Sequence, residues 1–60
     1  GMETKSFMSV QEVADVLGVS KSYAYKIVKQ LNEELAKLGY ITVSGRVNTE
    51  YFYKKLCYSE

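Results

Sequence analysis

Apolar residues recur at helical spacing in two stretches of this chain and at strand spacing in a third. Val10, Val13, Ala14 and Leu17 follow one another at steps of three and four, which places them on one face of a helix. Its start is predicted at Ser9, because Ser9-Val10-Gln11-Glu12 has the form of a capping box. In that motif the serine oxygen accepts the amide three residues on, and the glutamate carboxylate reaches back to the amide of the cap. Met8 and Val13 are spaced to pack across the cap as a hydrophobic staple. Gly18 is the expected stop, since glycine enters the left-handed conformation at little cost.

Only Val19 separates Gly18 from Ser20, itself a good helix cap. From Ala24 the apolar positions Ile27, Val28, Leu31, Leu35 and Leu38 repeat at helical steps, and Gly39 is the next stop signal. The pattern predicts a long helix from about Lys21 to Leu38, whose later half is rich in strong helix formers. Tyr40-Ile41-Thr42-Val43 is β-branched and aromatic, and Ser44-Gly45 offers a tight turn before Arg46-Val47, so a short β-hairpin is expected. Asn48 or Thr49 can cap a last helix running through Tyr51, Phe52 and Leu56 toward Tyr58, with Phe52 and Leu56 on one face.

Sixty residues make one domain, and a chain of that size buries only about 60% of its unfolded surface, so its margin of stability is thin. Residues 1–8 are read as a flexible N-terminal arm, with Gly1 ahead of Met2 as an expression scar, and 9–60 as the folded domain. The lone Cys57 cannot form an internal disulfide, and without histidine there is no Cys/His set for zinc. A reducing, cytoplasmic location is expected, with Cys57 a half-buried small hydrophobe. No apolar run of about 18 residues and no signal-peptide pattern is present, so no membrane partner is expected.

The net charge of +1 says little about partners, but its distribution says more. Between Val19 and Asn32 stand Lys21, Lys26 and Lys29 with no acidic residue, and Glu33 and Glu34 follow at once. A short helix, a glycine turn and an immediate second helix form the bihelical geometry in which one helix enters a DNA groove and the other braces it. Ala14, four residues before Gly18, is small enough for close approach, and Val13, Leu17, Val19, Ala24 and Ile27 supply the contacts. Over Val10 to Lys29 this pattern resembles the helix-turn-helix family.

Three segments extend the likeness: Ser9 to Ala14 with Leu17-Gly18-Val19-Ser20, then Gly45-Arg46-Val47, then Tyr51 to Leu56. Together they resemble the excisionase-like winged helix-turn-helix group of phage and mobile-element proteins, related to the MerR-type DNA-binding domain. That family often ends its second helix after two turns, whereas here the pattern continues to Leu38. The resemblance implies a mainly α winged helix-turn-helix fold, double-stranded DNA as partner, and no cofactor or small-molecule substrate. It also implies a role as a recombination accessory factor or a small transcriptional regulator. Carried onto this chain, the groove-facing positions are Ser20, Lys21, Ser22, Tyr23, Tyr25, Lys26 and Lys29.

The chemistry of those residues agrees. Ser20, Lys21 and Ser22 stand at a helix N-terminus, where amides and the helix dipole favour phosphate. Tyrosines can touch a thymine methyl with the ring and donate from the hydroxyl. Arg46, the sole arginine, is the expected wing contact. Two rival classes stay in view. A tyrosine nucleophile is set aside because there is no histidine and only one arginine to assist phosphoryl chemistry. A non-catalytic protein-interaction module, for dimerisation or as an adaptor, is the stronger alternative, with Leu31, Leu35 and Leu38 as its seam; on the DNA-binding reading a homodimer or side-by-side copies on DNA is expected as an option.

Overall fold

Ser9 both ends a short strand and caps the first helix. In this computed structural model, which describes residues 6–57, strand β1 is Phe7–Ser9 and helix α1 is Val10–Leu17. The Ser9 Oγ accepts the Glu12 N–H at 3.1 Å and the Glu12 Oε1 accepts the Ser9 N–H at 2.8 Å, completing the capping box. Gly18 stops α1 at φ 70°, and its N–H and that of Val19 both donate to the Ala14 carbonyl, at 2.8 and 3.1 Å. The Ser20 Oγ then accepts the Tyr23 N–H at 3.1 Å and starts helix α2, Lys21–Lys37.

Helix α2 closes on a second left-handed glycine, Gly39 at φ 91°. The Gly39 N–H donates to the Ala36 carbonyl and the Tyr40 N–H to that of Leu35, each at 3.0 Å, the paired bonds of a Schellman motif. Strand β2, Arg46–Asn48, leads directly into helix α3, Thr49–Cys57. Asn48 caps α3, its Oδ1 accepting the Tyr51 N–H at 2.8 Å.

The sheet differs from the expected hairpin. β2 pairs antiparallel with β1, with Met8 opposite Val47, and Val43 makes only an isolated bridge to Arg46. Met8 and Val47 are 5% and 0% exposed, so this pairing buries an apolar cross-strand pair. Tyr40 and Ile41 stay exposed outside any ladder. Phe7 and Met8 therefore belong to the fold rather than to an arm ending at residue 8. The scar reading of Gly1 and the packing role expected of Tyr58 lie outside the described residues.

The core joins Met8, Val10, Val13 and Ala14 to Ala24, Val28 and Leu31 of α2, and to Val47 and Phe52. Val13, Val28 and Val47 are wholly enclosed. Leu17, Val19, Ile27 and Tyr51 pack against this cluster from its edges. Two residues expected inside, and Cys57 expected half-buried, are exposed instead. Leu56, one turn past Phe52, lies beyond the edge of the core, and Leu38 and Cys57 at helix ends are exposed too.

Candidate nucleic-acid interface

Burying Ala24, Val28, Leu31 and Leu35 fixes which residues of α2 face outward. With 3.6 residues per turn, Lys21, Tyr25 and Lys29 form one row four residues apart, and Ser22 and Lys26 form the neighbouring row. All five are exposed. Lys21, Ser22, Tyr25 and Lys26, with Val10 beneath, line a shallow depression of about 450 Å³. Tyr25 and Lys29 also line a second cleft of about 300 Å³, shared with Ser44 and Gly45 of the turn before β2. Tyr25 thus stands where the two depressions meet.

Ser20 sits at the head of this face. Its Oγ is committed as acceptor to the Tyr23 amide, which leaves the hydroxyl proton free to donate. Tyr23 is exposed as well, but it is two residues from Tyr25 and so points about 160° away around the helix. It shares the flank of Ile27, Gln30 and Glu34 instead. The structure therefore gathers Lys21, Ser22, Tyr25, Lys26 and Lys29 around these two depressions, while Tyr23 lines neither and stands at the edge of the face, one turn before Lys26.

Arg46 is exposed, and strand alternation turns it to the face opposite the buried Val47. It follows the Ser44-Gly45 turn, whose Gly45 has φ 78° and which is closed by the Arg46 N–H donating to the Val43 carbonyl at 3.0 Å. The same turn is tied to α2 by Asn32, whose Nδ2 donates to the carbonyls of Val43 at 3.1 Å and Arg46 at 2.8 Å. Sequence reasoning missed Asn32. The signal was there: asparagine is a poor helix former, so one deep inside a 17-residue helix needs a side-chain reason.

Among the described residues, no ion pair engages Lys21, Lys26, Lys29 or Arg46. Glu34 is held on the other flank, where its Oε1 accepts the Tyr51 hydroxyl at 2.7 Å and lies 3.5 Å from the Lys55 Nζ. Tyr51, then Lys55, hold the Glu34 carboxyl below its ordinary range, and Glu34 in turn raises the Tyr51 phenol. Glu34 is thus engaged away from the lysines, whereas Glu33, one turn after Lys29, lines the same cleft as Tyr25 and Lys29. No helix among the described residues is long and apolar enough to cross a membrane, and no cluster of His, Cys, Asp or Glu among them could hold a metal ion.

Among the described residues, three helices and a two-stranded antiparallel sheet make a mainly helical fold, compatible with a small winged helix-turn-helix. The chain is similar to the ICEBs1 excisionase of Bacillus subtilis (strain 168), with 29% identity over 52 residues that cover 87% of this chain and 81% of that protein. No family model matches the chain, and no solved structure does.

Proposed function

We propose that this chain is a winged helix-turn-helix domain that binds specific duplex DNA without catalysis and serves as an accessory factor in recombination, as the similarity to an excisionase supports. The observation that carries this reading is the exposed face of α2, where three lysines that form no ion pair among the described residues flank Ser22 and Tyr25 beside the Ser44-Gly45 turn. α2 is the reading helix, α1 braces it, and the turn with Arg46 is the wing. Ser20 and Lys21 meet phosphate at the helix N-terminus. Lys26 and Lys29 meet the backbone, and Ser22 and Tyr25 reach base edges. A transcriptional regulator would use the same face.

Fluorescence anisotropy against a duplex selected from a randomised pool, and against its scrambled version, tests the assignment across a salt series. Lys26→Ala and Lys29→Ala should weaken both complexes alike, each reducing the salt slope by about 0.9. Ser22→Ala and Tyr25→Ala should lose about 1–3 kcal/mol on the selected duplex only. Tyr23→Ala, at the edge of the face and outside both depressions, should cost less of the sequence preference than Tyr25→Ala. If all variants bind both duplexes like the parent while circular dichroism shows them folded, α2 is not the reading helix.

A contact with another protein, including a second copy, has one observation in its favour. Leu38, Tyr40 and Ile41 stand together in sequence and are 64%, 64% and 85% exposed, and such apolar groups mark contact surfaces when they are contiguous. Sedimentation with and without DNA reads it directly.

A further inference from the structure

Asn32 is the side chain through which the long helix holds the turn before β2. Both of its donor bonds go to carbonyls of that turn, one to Val43 and one to Arg46. The partners lie 11 and 14 residues away in sequence, so the bonds fix a tertiary distance rather than a local conformation. Their geometry also fixes the orientation of the amide. Two acceptors face it, so only the NH₂ group can point at them. The Asn32 Oδ1 is left enclosed without a hydrogen-bond partner, a cost the fold bears to keep both donors on the turn.

The position matters because of what stands on either side. Asn32 is three residues after Lys29 and seven after Tyr25, on the same flank of α2. All three line the cleft whose far wall is Ser44 and Gly45. Tyr40 to Thr42, which deliver the chain to this turn, carry no ladder that could place it. The turn is positioned by the Val43–Arg46 bridge, by β2 pairing with β1, and by Asn32. Val47, next to Arg46, is buried in the core beside Val28 and Leu31, and Asn32 adds the hydrogen bonds that join the turn itself to α2.

We propose that Asn32 is a positioning residue that sets the spacing between the reading helix and the wing, so that Arg46 meets the same duplex as Lys29 and Tyr25. This rests on the DNA-binding reading above, but the anchor itself is read without DNA. Asn32→Ala removes both donors. Asn32→Asp, nearly the same shape, turns a carboxylate toward two carbonyl oxygens. In both variants, amide exchange at Arg46 should quicken by about tenfold, the order of one lost hydrogen bond, and the amide signals of residues 43–46 should shift. Those of α1 should stay in place. Unchanged signals at 43–46 in both variants would overturn the anchor.

The DNA arm is a cycle of Asn32→Ala, Arg46→Ala and the double variant on the selected duplex. The positioning role predicts that both single variants weaken binding and that the double variant is no weaker than the weaker single. Factors that multiply would show two independent contacts and overturn it. So would an Asn32→Ala variant that frees the turn and binds like the parent while Arg46→Ala is weak. Should the parent itself fail to bind duplex DNA, the function proposed above falls, and the exchange measurement alone decides whether Asn32 places the turn.

Discussion

Two left-handed glycines bracket α2, and the chain behaves oppositely after each. Past Gly18 it is recaptured at once: Val19 packs against the core and Ser20 caps the next helix. Past Gly39 it runs free of any ladder through Tyr40 and Ile41, and is recaptured only at the bridge of Val43 with Arg46 and by the side chain of Asn32. One turn is closed by apolar contact and caps within a few residues. The other is closed by a few polar bonds from far along the chain. The angle between α1 and α2 is thus set by the core, while the turn, flanked on one side by the buried Val47, is joined to α2 by hydrogen bonds worth about 1 kcal/mol apiece. If α2 reads DNA as proposed, a firmly packed helix beside a lightly held turn would let the face adjust to a duplex.

The largest expected difference lies along α2 itself. Leu31 is 6% exposed within the core, and Leu38 is 64% exposed past its edge. Leu31→Ala should cost about 2–5 kcal/mol, which approaches the whole stability of a domain this small. Leu38→Ala should stay within about 0.5 kcal/mol. Urea titration reads both as shifts of the midpoint at constant slope. Equal costs would mean the far end of α2 is covered, and the contrast between its two sides would collapse.

Next come the glycines. Each would open onto empty space if given a Cβ, so any penalty comes from the positive φ alone. Gly18→Val should destabilise the whole domain by about 1 kcal/mol or more, because both helices depend on that turn. Gly39→Val carries similar strain, but the last turn of α2 can fray to escape it. Its melting temperature should fall less, while amide exchange quickens at Gly39 and Tyr40 only. Equal melting losses would show that the second turn is as integral as the first.

The same contrast explains what the sequence disclosed. Capping at Ser9 and Ser20, the stop at Gly18 and the apolar faces of α1 and α2 are written within a few residues of where they act, and each appears as expected. The partner of β2 is not local. Nothing in Phe7-Met8 marks it as a strand until Val47 is placed opposite Met8, and Tyr40 to Val43 have the stronger strand composition. On the exposed face of α2 the clustering of the lysines with Tyr25 was legible from spacing. The place of Tyr23 at the edge of that face, about 160° around the helix from Tyr25, needed the helix phase, which the buried set Ala24, Val28 and Leu31 fixes. Leu56 and Cys57 looked buried by type, yet α3 reaches past the core that would have covered them.

The smallest effect concerns how α3 is tied to α2, again by a polar bond across the chain. The Tyr51 hydroxyl donates to Glu34, lowering the Glu34 carboxyl and raising the Tyr51 phenol from their ordinary values. A carboxyl depressed in the folded state contributes stability above its unfolded value, and that contribution is lost as the pH falls through the folded one. A raised phenol contributes below its unfolded value, near pH 10, and loses it as the pH rises through the folded value. Tyr51→Phe keeps the ring and removes the bond. Its melting temperature should therefore lie slightly below the parent's between those limits. The gap should narrow in acid, where Glu34 is protonated, and in alkali, where the parent's phenolate would face a carboxylate. Carbon NMR of the Glu34 carboxyl gives the direct reading: its titration should move upward in Tyr51→Phe but stay below the ordinary value, because Lys55 remains beside it. A midpoint unmoved by Tyr51→Phe would assign the depression to Lys55 alone, and the tie between the two helices would then be a surface ion pair of little weight.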